Sequence, residues 1–274
     1  NERTMPEWPE VETTRKGVSP HVKGRRGSGV AVRQTSLRWP IPSERGAHLL
    51  GHQLLDIHRR GKYLLFEFTH GHRRIHLGMS GSLRVVNPNE LPKKHDHVDI
   101  CFGDVCLRYH DPRRFGAVLW TADTIEAHRL LAHLGPEPLT DAFSGEYLFS
   151  QSRKRTKDIK AFIMDSHVVV GVGNIYANEA LFSARIKPTK AAGKVSAKQY
   201  LMLVDEIKTV LKRSIAQGGT TLRDFVGGDG KPGYFVQQLN VYGRKGQPCV
   251  YCAKLLKEIR QSQRSSVYCT QCQK

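Results

Sequence analysis

The sequence predicts an α+β protein with a strand-rich N-terminal domain, a helical region after it and a cysteine-rich ribbon at the C-terminus. Three observations support this prediction. Short β-rich runs punctuated by Gly, Asn and Pro fill the chain from Val30 to about Leu119, a helical apolar pattern follows Ser196, and two Cys-x-x-Cys pairs stand near the end. At 274 residues the chain can form two modest domains, each with its own core.

The first domain is predicted from closely spaced runs of aromatic, leucine and β-branched residues, at 63–68, 83–86 and 98–102. Several short strands at this spacing favour a β-sandwich or a barrel. One helix over 10–18 is expected before them. Cys101 and Cys106 fall among the strands, where we expect them to be buried small hydrophobic residues.

The second half is predicted to be helical. The breakers in Leu-Gly-Pro-Glu-Pro-Leu at 134–139 indicate a boundary between domains. Farther on, Ser196 and Gln199 form a capping-box signature, apolar residues recur near the 3.6-residue period, and Gly218-Gly219 provides a stop. This pattern predicts a long amphipathic helix.

The charge balance indicates a polyanionic partner. Lys and Arg number 43 against 25 Asp and Glu, a formal net charge of +18 with a pI near 9.8. The basic residues recur beside glycines and aromatics, as in 59–63 and 113–116, which suits nucleic acid better than a merely solvated basic surface. No apolar run approaches the roughly 18 residues of a membrane helix, and no secretory signal is evident, so a cytoplasmic location is expected.

Four of the six cysteines form the pairs Cys249-x-x-Cys252 and Cys269-x-x-Cys272. This spacing is typical of a tetrahedral zinc site with four thiolate ligands. Disulfide pairing is the alternative, but nothing indicates secretion, and so small a segment needs a metal to fold. A closed four-sulfur site has no open position for water, so one structural Zn²⁺ is expected rather than a catalytic one.

Five motifs in order, together with these cysteines, give the sequence a family resemblance. They are Pro-Glu-x-Pro-Glu-Val-Glu-Thr at 6–13, Arg-x-Lys-Tyr-Leu at 60–64, His-Leu-Gly-Met-Ser-Gly at 76–81, Asp-Pro-Arg-Arg-Phe-Gly at 111–116, Gly-Val-Gly-Asn-Ile-Tyr at 171–176 and the terminal ribbon. The chain from Met5 to Lys274 resembles bacterial formamidopyrimidine-DNA glycosylase, a bifunctional DNA glycosylase and lyase.

The resemblance implies a domain organisation and a partner. It implies an N-terminal catalytic β-sandwich domain over 6–135, a linker over 136–150, a helix-two-turns-helix domain with a lesion-covering loop over 151–235, and a zinc-ribbon finger over 236–274. The partner implied is double-stranded DNA containing oxidised purines, bound by a monomer in the cleft between the halves. Binding to phosphates predicts a strong salt dependence.

The resemblance also implies the catalytic residues. A free N-terminal amine on Pro6, which is less basic than a lysine side chain, would attack C1′ of the damaged nucleotide. Glu7 would protonate the sugar ring oxygen, and Lys62 would contact phosphates near the lesion. Taken alone, an N-terminal carboxylate can simply interact with a helix dipole, which suits Glu10 or Glu12, and a strand-edge lysine can simply aid solubility.

The remaining family residues are assigned to DNA contact. Met79, Arg113 and Phe115 match the residues that fill the space left by the extruded base, with Arg113 reading the opposite cytosine; without the family, Met79 and Phe115 are core candidates. Phosphate contacts are implied for His95, Asn174 and Arg264, whose plain alternatives are a helix cap for Asn174 and a hairpin-tip charge for Arg264. The glycine-rich segment 218–234 matches the loop that covers the flipped purine.

The chain departs from the family pattern at three places. Trp8 replaces a leucine beside the nucleophile, Ala253 replaces a glycine after the second zinc cysteine, and residues 1–4 precede Met5. The third departure concerns the mechanism, because an amide-bonded proline has no amine to react. We expect the extension to be a start-site or expression artefact, with the working enzyme beginning at Pro6.

Three alternatives stay open at this point. One is a glycosylase of the same superfamily that removes oxidised pyrimidines, which the pair Arg113 and Phe115 disfavours. Another is a catalytically silent protein that binds damaged DNA, if Pro6 is not the free N-terminus. A zinc-ribbon transcription factor explains the cysteines but not the Pro6-Glu7 start or the strand-rich half.

Overall fold

The computed structural model describes residues 7–41, 49–69, 74–78, 81–121, 129, 131–217 and 239–274, with the backbone alone at 74–78 and 119–121. Its contacts divide the chain into two compact units. One unit contains the described residues up to Ala132, and the other contains 133–217 together with 239–274. None of the helices among the described residues combines the length and the apolar character that a membrane span needs.

The first unit is a β-sandwich preceded by one helix. Its elements are α1 (Trp8–Val22), β1 (Gly29–Val32), β2 (Leu54–Arg60), β3 (Tyr63–Phe68), β4 (Arg74–Gly78), β5 (Ser82–Val86), β6 (Asp96–Cys101), β7 (Cys106–His110) and β8 (Ala117–Thr121). Two antiparallel sheets have the strand orders β1-β6-β7-β5 and β2-β3-β4-β8. The predicted strands at 63–68, 83–86 and 98–102 are confirmed within one or two residues at their ends.

The core of this unit lies between the two sheets and against α1. Leu64 and Phe66 of β3 join Ile100 of β6 and Leu107 of β7 in one buried cluster, and Val11 of α1 belongs to it as well. Side chains along a strand point alternately to its two faces, so Leu64 and Phe66, two residues apart in β3, both enter this core. The sandwich that the sequence predicted is therefore confirmed.

Helix α1 is longer than the predicted 10–18 because its N-terminus is capped by local residues. Glu7 is the N-cap, Pro9 stands in the first turn, and the backbone N–H of Glu7 donates to Oε2 of Glu10 at 2.9 Å. Proline is well suited to the first turn, where its missing N–H has no helical partner. The cap satisfies an otherwise unpaired donor and moves the start of the helix back to Trp8.

The expectation for Cys101 and Cys106 is wrong. The register of β6 and β7 places the two residues directly opposite each other, with Cα atoms 4.1 Å apart, and their sulfurs form a disulfide. Cys106 is buried, as expected, while Cys101 is only half-buried. The cause is cross-strand pairing beside a short turn, which brings two thiols together whatever the burial of each side chain.

The second unit is helical and ends in a small two-stranded ribbon. Its elements are α2 (Gly145–Ser152), α3 (Ile159–Ile163), α4 (Asn174–Ser183), α5 (Ala197–Ala216), β9 (Lys257–Gln261) and β10 (Arg264–Tyr268). The capping box of Ser196 and Gln199 is present, which confirms the helix predicted there. The segment 136–150, for which a linker is expected, contains most of α2, and Leu148 is fully buried in the helical core.

Candidate active site and metal centre

Glu7 occupies a buried position at the start of α1. As the N-cap, its backbone is extended, with φ −96° and ψ −178°, and the residue is only 1% exposed. Helix α1 packs against β2, β5 and β3, which holds the helix on the sandwich. A carboxyl group held in such a place, with little water, suits proton transfer. Pro6, the residue before it, lies outside the described residues.

Lys62 lies in the two-residue turn between β2 and β3. Arg60 and Tyr63 pair across this turn, which leaves Gly61 and Lys62 at its tip. Gly61 has a φ of +56°, a left-handed conformation that glycine adopts without a steric penalty, and this explains the glycine beside the lysine. Because the turn is tight, the pairing of β2 with β3 limits the movement of the half-buried Lys62.

Arg113 and Phe115 project from the loop between β7 and β8, and one carboxylate organises that loop. Asp111 is fully buried. Its Oδ1 accepts the backbone N–H groups of Arg113 at 3.2 Å and Arg114 at 3.1 Å, and its Oδ2 accepts the N–H of Gly116 at 2.9 Å. Phe115 is 57% exposed and is therefore not a core residue; an inserting side chain needs such an exposed position. Met79, which is expected to fill the space left by the extruded base together with Phe115, lies outside the described residues.

His95 belongs to the same end of the sandwich. Its backbone carbonyl accepts the N–H of Asp111 at 3.0 Å, and its ring lies 6.0 Å from that of His97 and 6.1 Å from that of His110. Desolvation, followed by the nearby charge of Lys94, lowers the pKa of His95. A neutral imidazole at this position can still donate one hydrogen bond to a phosphate.

Asn174 is the first residue of α4, in the second unit. It follows the glycine-rich turn 171–173, and the residue is only 1% exposed. Its side-chain Oδ1 has no hydrogen-bond partner among the described residues. The backbone N–H groups at a helix N-terminus favour an anion such as a phosphate, whereas the unpaired Oδ1 is an acceptor and would need a donor from any ligand.

Arg264 is the first residue of β10, beside the turn formed by Ser262 and Gln263. Arg264 lines a cleft of about 240 Å³ between the hairpin of β9 and β10 and helix α3, together with Lys157 and Lys160. Asp158 and Asp165 lie in the same wall. Lys157 pairs with Asp165 at 3.4 Å, and Lys160 is bonded to Ser265 and Ser266, so the cleft has only a small excess of positive charge, to which Arg264 contributes. A phosphate contact by Arg264 stays a prediction.

The four terminal cysteines converge on one point. All four sulfur atoms lie within 4.8 Å of one another, with Sγ of Cys249 and Cys272 4.0 Å apart and those of Cys252 and Cys269 3.5 Å apart. A thiolate tetrahedron around zinc, with Zn–S distances of about 2.3 Å, has edges of about 3.8 Å. The cysteines therefore fit one structural Zn²⁺, as predicted. Phe182 of α4 packs beneath them in the same apolar cluster as Cys249 and Cys269.

Two buried ionic residues support the ribbon, and no local pattern in the sequence indicates either of them. Lys160 of α3 donates from Nζ to the carbonyl of Ser265 at 2.8 Å and to Oγ of Ser266 at 2.6 Å. Glu179 of α4 accepts three consecutive backbone N–H groups, those of residues 240–242. Burial raises the pKa of Glu179 despite these donors. Each of these residues binds a segment that is far from it in the sequence, and local sequence patterns do not indicate such contacts.

Comparison with known proteins accounts for both units and the ribbon. Residues 5–118 match the model of the formamidopyrimidine-DNA glycosylase N-terminal domain, 134–226 match the H2TH domain of the same enzyme, and 246–274 match a zinc finger found in FPG and IleRS. The formamidopyrimidine-DNA glycosylase of Saccharophagus degradans is 63% identical over 271 residues, covering 98% of this chain and all of the relative. That of Teredinibacter turnerae is 62% identical over 272 residues with the same coverage.

Solved structures agree with these relatives. The MutM (Fpg) protein of Thermus thermophilus superposes with a TM-score of 0.87 at 34% identity, covering 98% of each chain. The wild-type Lactococcus lactis Fpg in complex with DNA containing N7-benzyl-Fapy-dG gives 0.90 at 30% identity, covering 98% of this chain and 99% of that one.

The sandwich, the helix-two-turns-helix domain and the four-cysteine finger together define a DNA glycosylase of base-excision repair that also cleaves abasic sites. The chain belongs to the formamidopyrimidine-DNA glycosylase family, whose members act on oxidised purines.

Proposed function

We propose that this chain excises 8-oxoguanine and formamidopyrimidines with Pro6 as the nucleophile. The secondary amine of Pro6 attacks C1′ and loses its proton, while the damaged base leaves with the electrons of the glycosidic bond and takes up a proton. Glu7 gives a proton to the ring oxygen as the ring opens, so that Pro6 and C1′ form an iminium. Loss of a C2′ proton then expels the 3′ phosphate, and a second elimination expels the 5′ phosphate.

The observation that supports this proposal most directly is the position of Glu7. The residue is 1% exposed, sits at the N-cap of α1 and is joined covalently to the proposed nucleophile. Proton transfer to a poorly basic ring oxygen needs an acid that is close and shielded from water. The chemistry also requires that the chain begin at Pro6, since only then does the nitrogen carry a free lone pair.

The other residues have binding roles in this proposal. Lys62 contacts the phosphates near the lesion from the tight turn, and the exposed Phe115 enters the stack with Met79 after the base is extruded. Arg113 bonds the orphaned cytosine through its planar donors. His95, Asn174 and Arg264 contact backbone phosphates, and the segment 218–234 covers the flipped base.

The ligand in this proposal is double-stranded DNA, bound by a monomer in the bacterial cytoplasm, where the nucleoid lies. The net charge of +18 provides the attraction to the phosphates.

The test uses a duplex with 8-oxoguanine opposite cytosine and three proteins: wild type, Glu7→Gln, and the control Glu146→Gln, which removes an exposed carboxylate from the first turn of α2. We expect Glu7→Gln to lose base excision while still cleaving a preformed abasic site, whose sugar opens without the acid. The control should match wild type. Efficient excision by Glu7→Gln, or a wild-type preference for thymine glycol, would contradict the proposal.

A further inference from the structure

Arg59 joins the start of helix α1 to the turn that carries Lys62. We propose that Arg59 is a positioning residue for the reaction: by binding Trp8, Glu12 and Gly61 together, it fixes Glu7 relative to Lys62. The inference rests on the proposed roles of Glu7 and Lys62. We call the four side chains of Trp8, Glu12, Arg15 and Arg59 the Arg59 cluster.

The first contact of the cluster is a stacked one. The guanidinium carbon of Arg59 lies 3.9 Å from the centroid of the Trp8 ring. Trp8 follows Glu7 directly in the chain and is 4% exposed. A guanidinium over an indole face is attracted by the ring's electrons, most strongly where water is excluded. The contact therefore restrains the residue next to the proposed acid.

The second contact is made to the side of α1. Arg59 donates from Nε to Oε2 of Glu12 at 2.9 Å, and the side chains of the pair are 9% and 12% exposed. Glu12 lies one helical turn beyond Trp8, so both contacts restrain the N-terminal part of α1. Arg15 binds the same carboxylate, from Nη2 to Oε1 at 2.7 Å, and reaches the carbonyl of Ile57 in β2 at 3.3 Å.

The third contact reaches the turn itself. Arg59 donates from Nη1 to the carbonyl of Gly61 at 3.1 Å. Gly61 precedes Lys62, so this bond limits the orientation of the turn that presents the lysine. One planar side chain thus contacts an aromatic face, a carboxylate and a backbone carbonyl through three different parts of its guanidinium, an arrangement that a lysine cannot reproduce.

The contacts of the Arg59 cluster explain why a tryptophan suits position 8. Leucine, the residue that the family resemblance leads one to expect at position 8, fills space but offers no ring face to a cation. In this chain Trp8 and Arg59 therefore depend on each other for their positions. Changing either should disturb the same geometry, and changing both should add little beyond the first change.

Two variants test this coupling with a matched control. Arg59→Lys keeps the charge but loses the planar fork, and Trp8→Leu removes the ring. The control is Arg26→Lys, an exposed arginine of the same unit that also bonds a backbone carbonyl, that of Gly51 at 2.7 Å. Single-turnover rates of 8-oxoguanine excision at saturating protein, dissociation constants and melting temperatures are measured for all variants and the double variant.

We expect Arg59→Lys to lower the single-turnover rate about 10- to 100-fold, the scale on which small misplacement acts, with the dissociation constant changed much less. Trp8→Leu should lower the rate less, and the double variant should match Arg59→Lys. A purely structural role would lower the melting temperature and leave the rate of the folded protein unchanged. That result, or a rate loss equal to that of Arg26→Lys, would overturn the inference.

Hydrogen–deuterium exchange separates this inference from the proposed function. In Arg59→Lys the amides of residues 10–13 and 61–64 should exchange faster than in wild type, with the C-terminal unit unchanged. This holds whether or not the protein excises 8-oxoguanine. A wild-type protein without excision would reject the proposed function, whereas unchanged exchange in both segments would reject the positioning role of Arg59.

Discussion

The buried carboxylate of Asp111 accepts the backbone N–H of Gly116 at 2.9 Å, across the loop that displays Arg113 and Phe115. The same carboxylate accepts two more N–H groups of that loop and the hydroxyl of Tyr109 at 3.0 Å. Four donors on one carboxylate fix the loop before any DNA is bound. An inserting side chain on a preformed loop loses less conformational entropy on binding than one on a mobile loop.

Replacing Asp111 by asparagine should loosen this loop. The amide has one acceptor oxygen in place of two, so at least one buried N–H loses its partner, at a cost of about 1–3 kcal/mol in unfolding free energy. Affinity for an 8-oxoguanine duplex should fall more than affinity for undamaged duplex. Denaturant unfolding and fluorescence anisotropy measure both effects. Asp104→Asn, on a turn where the side chain is 83% exposed, is the control; identical behaviour of the two variants would contradict this role.

Ala253 stands in a left-handed conformation, with φ +62°, at the zinc knuckle after Cys252. Its N–H donates to the carbonyl of Cys249 at 2.9 Å, which closes the knuckle. An L-residue in this region costs about 1–2 kcal/mol, only partly offset by the flexibility that glycine adds to the unfolded chain. Zinc release to a chelator should therefore be slowest in Ala253→Gly, intermediate in wild type and fastest in Ala253→Val. Any other order would show that the knuckle does not control metal retention.

Glu12 should contribute a pH-dependent part of the stability. Burial alone raises the pKa of Glu12, but the hydrogen bonds and charges of Arg15 and Arg59 outweigh it, and the pKa is lowered from 4.5. For a carboxyl with a lowered pKa in the folded state, the stabilisation is present above its unfolded pKa and is lost as pH falls through the folded value. Urea unfolding should show the gap between wild type and Glu12→Gln largest near pH 7 and shrinking below about pH 4.5. A gap that is constant with pH would exclude this ion pair as its source.

Arg264 should account for one phosphate contact. Replacing it by alanine should weaken binding to damaged and undamaged duplexes alike and reduce the slope of log affinity against log salt by about 1. Arg260→Ala is the control, because Arg260 is exposed on the neighbouring strand β9 and is not among the residues that line the cleft around Arg264. An unchanged slope in Arg264→Ala would indicate a hairpin-tip charge with no contact to DNA.

The parts of the fold that the sequence predicted correctly depend on local patterns. The capping box of Ser196 and Gln199 lies within one turn, and the paired cysteines from Cys249 to Cys272 lie in two short knuckles. Such patterns involve residues that are close together in the sequence, so they can be recognised without knowing the fold. The exposed position of Phe115 agrees with the family resemblance, whereas the residue type alone makes it a core candidate.

The parts that escaped prediction depend on partners far away in the sequence or on strand register. The disulfide of Cys101 and Cys106 follows from the register of β6 and β7, which neither residue alone reveals. Arg59 and Trp8 meet only because α1 packs on β2. Asp111 was visible inside a motif, but its role appears only when the N–H groups of the following loop are seen to turn back toward it.

The central claim is that the amine of Pro6 forms a covalent bond to the damaged nucleotide. It is tested most directly by borohydride trapping on a duplex carrying 8-oxoguanine opposite cytosine, followed by peptide mapping, with protein beginning at Pro6 and protein retaining residues 1–5. We predict an adduct on Pro6 in the first protein and none in the second. Tight binding without an adduct in the protein that begins at Pro6, or an adduct on Lys62, would contradict the account.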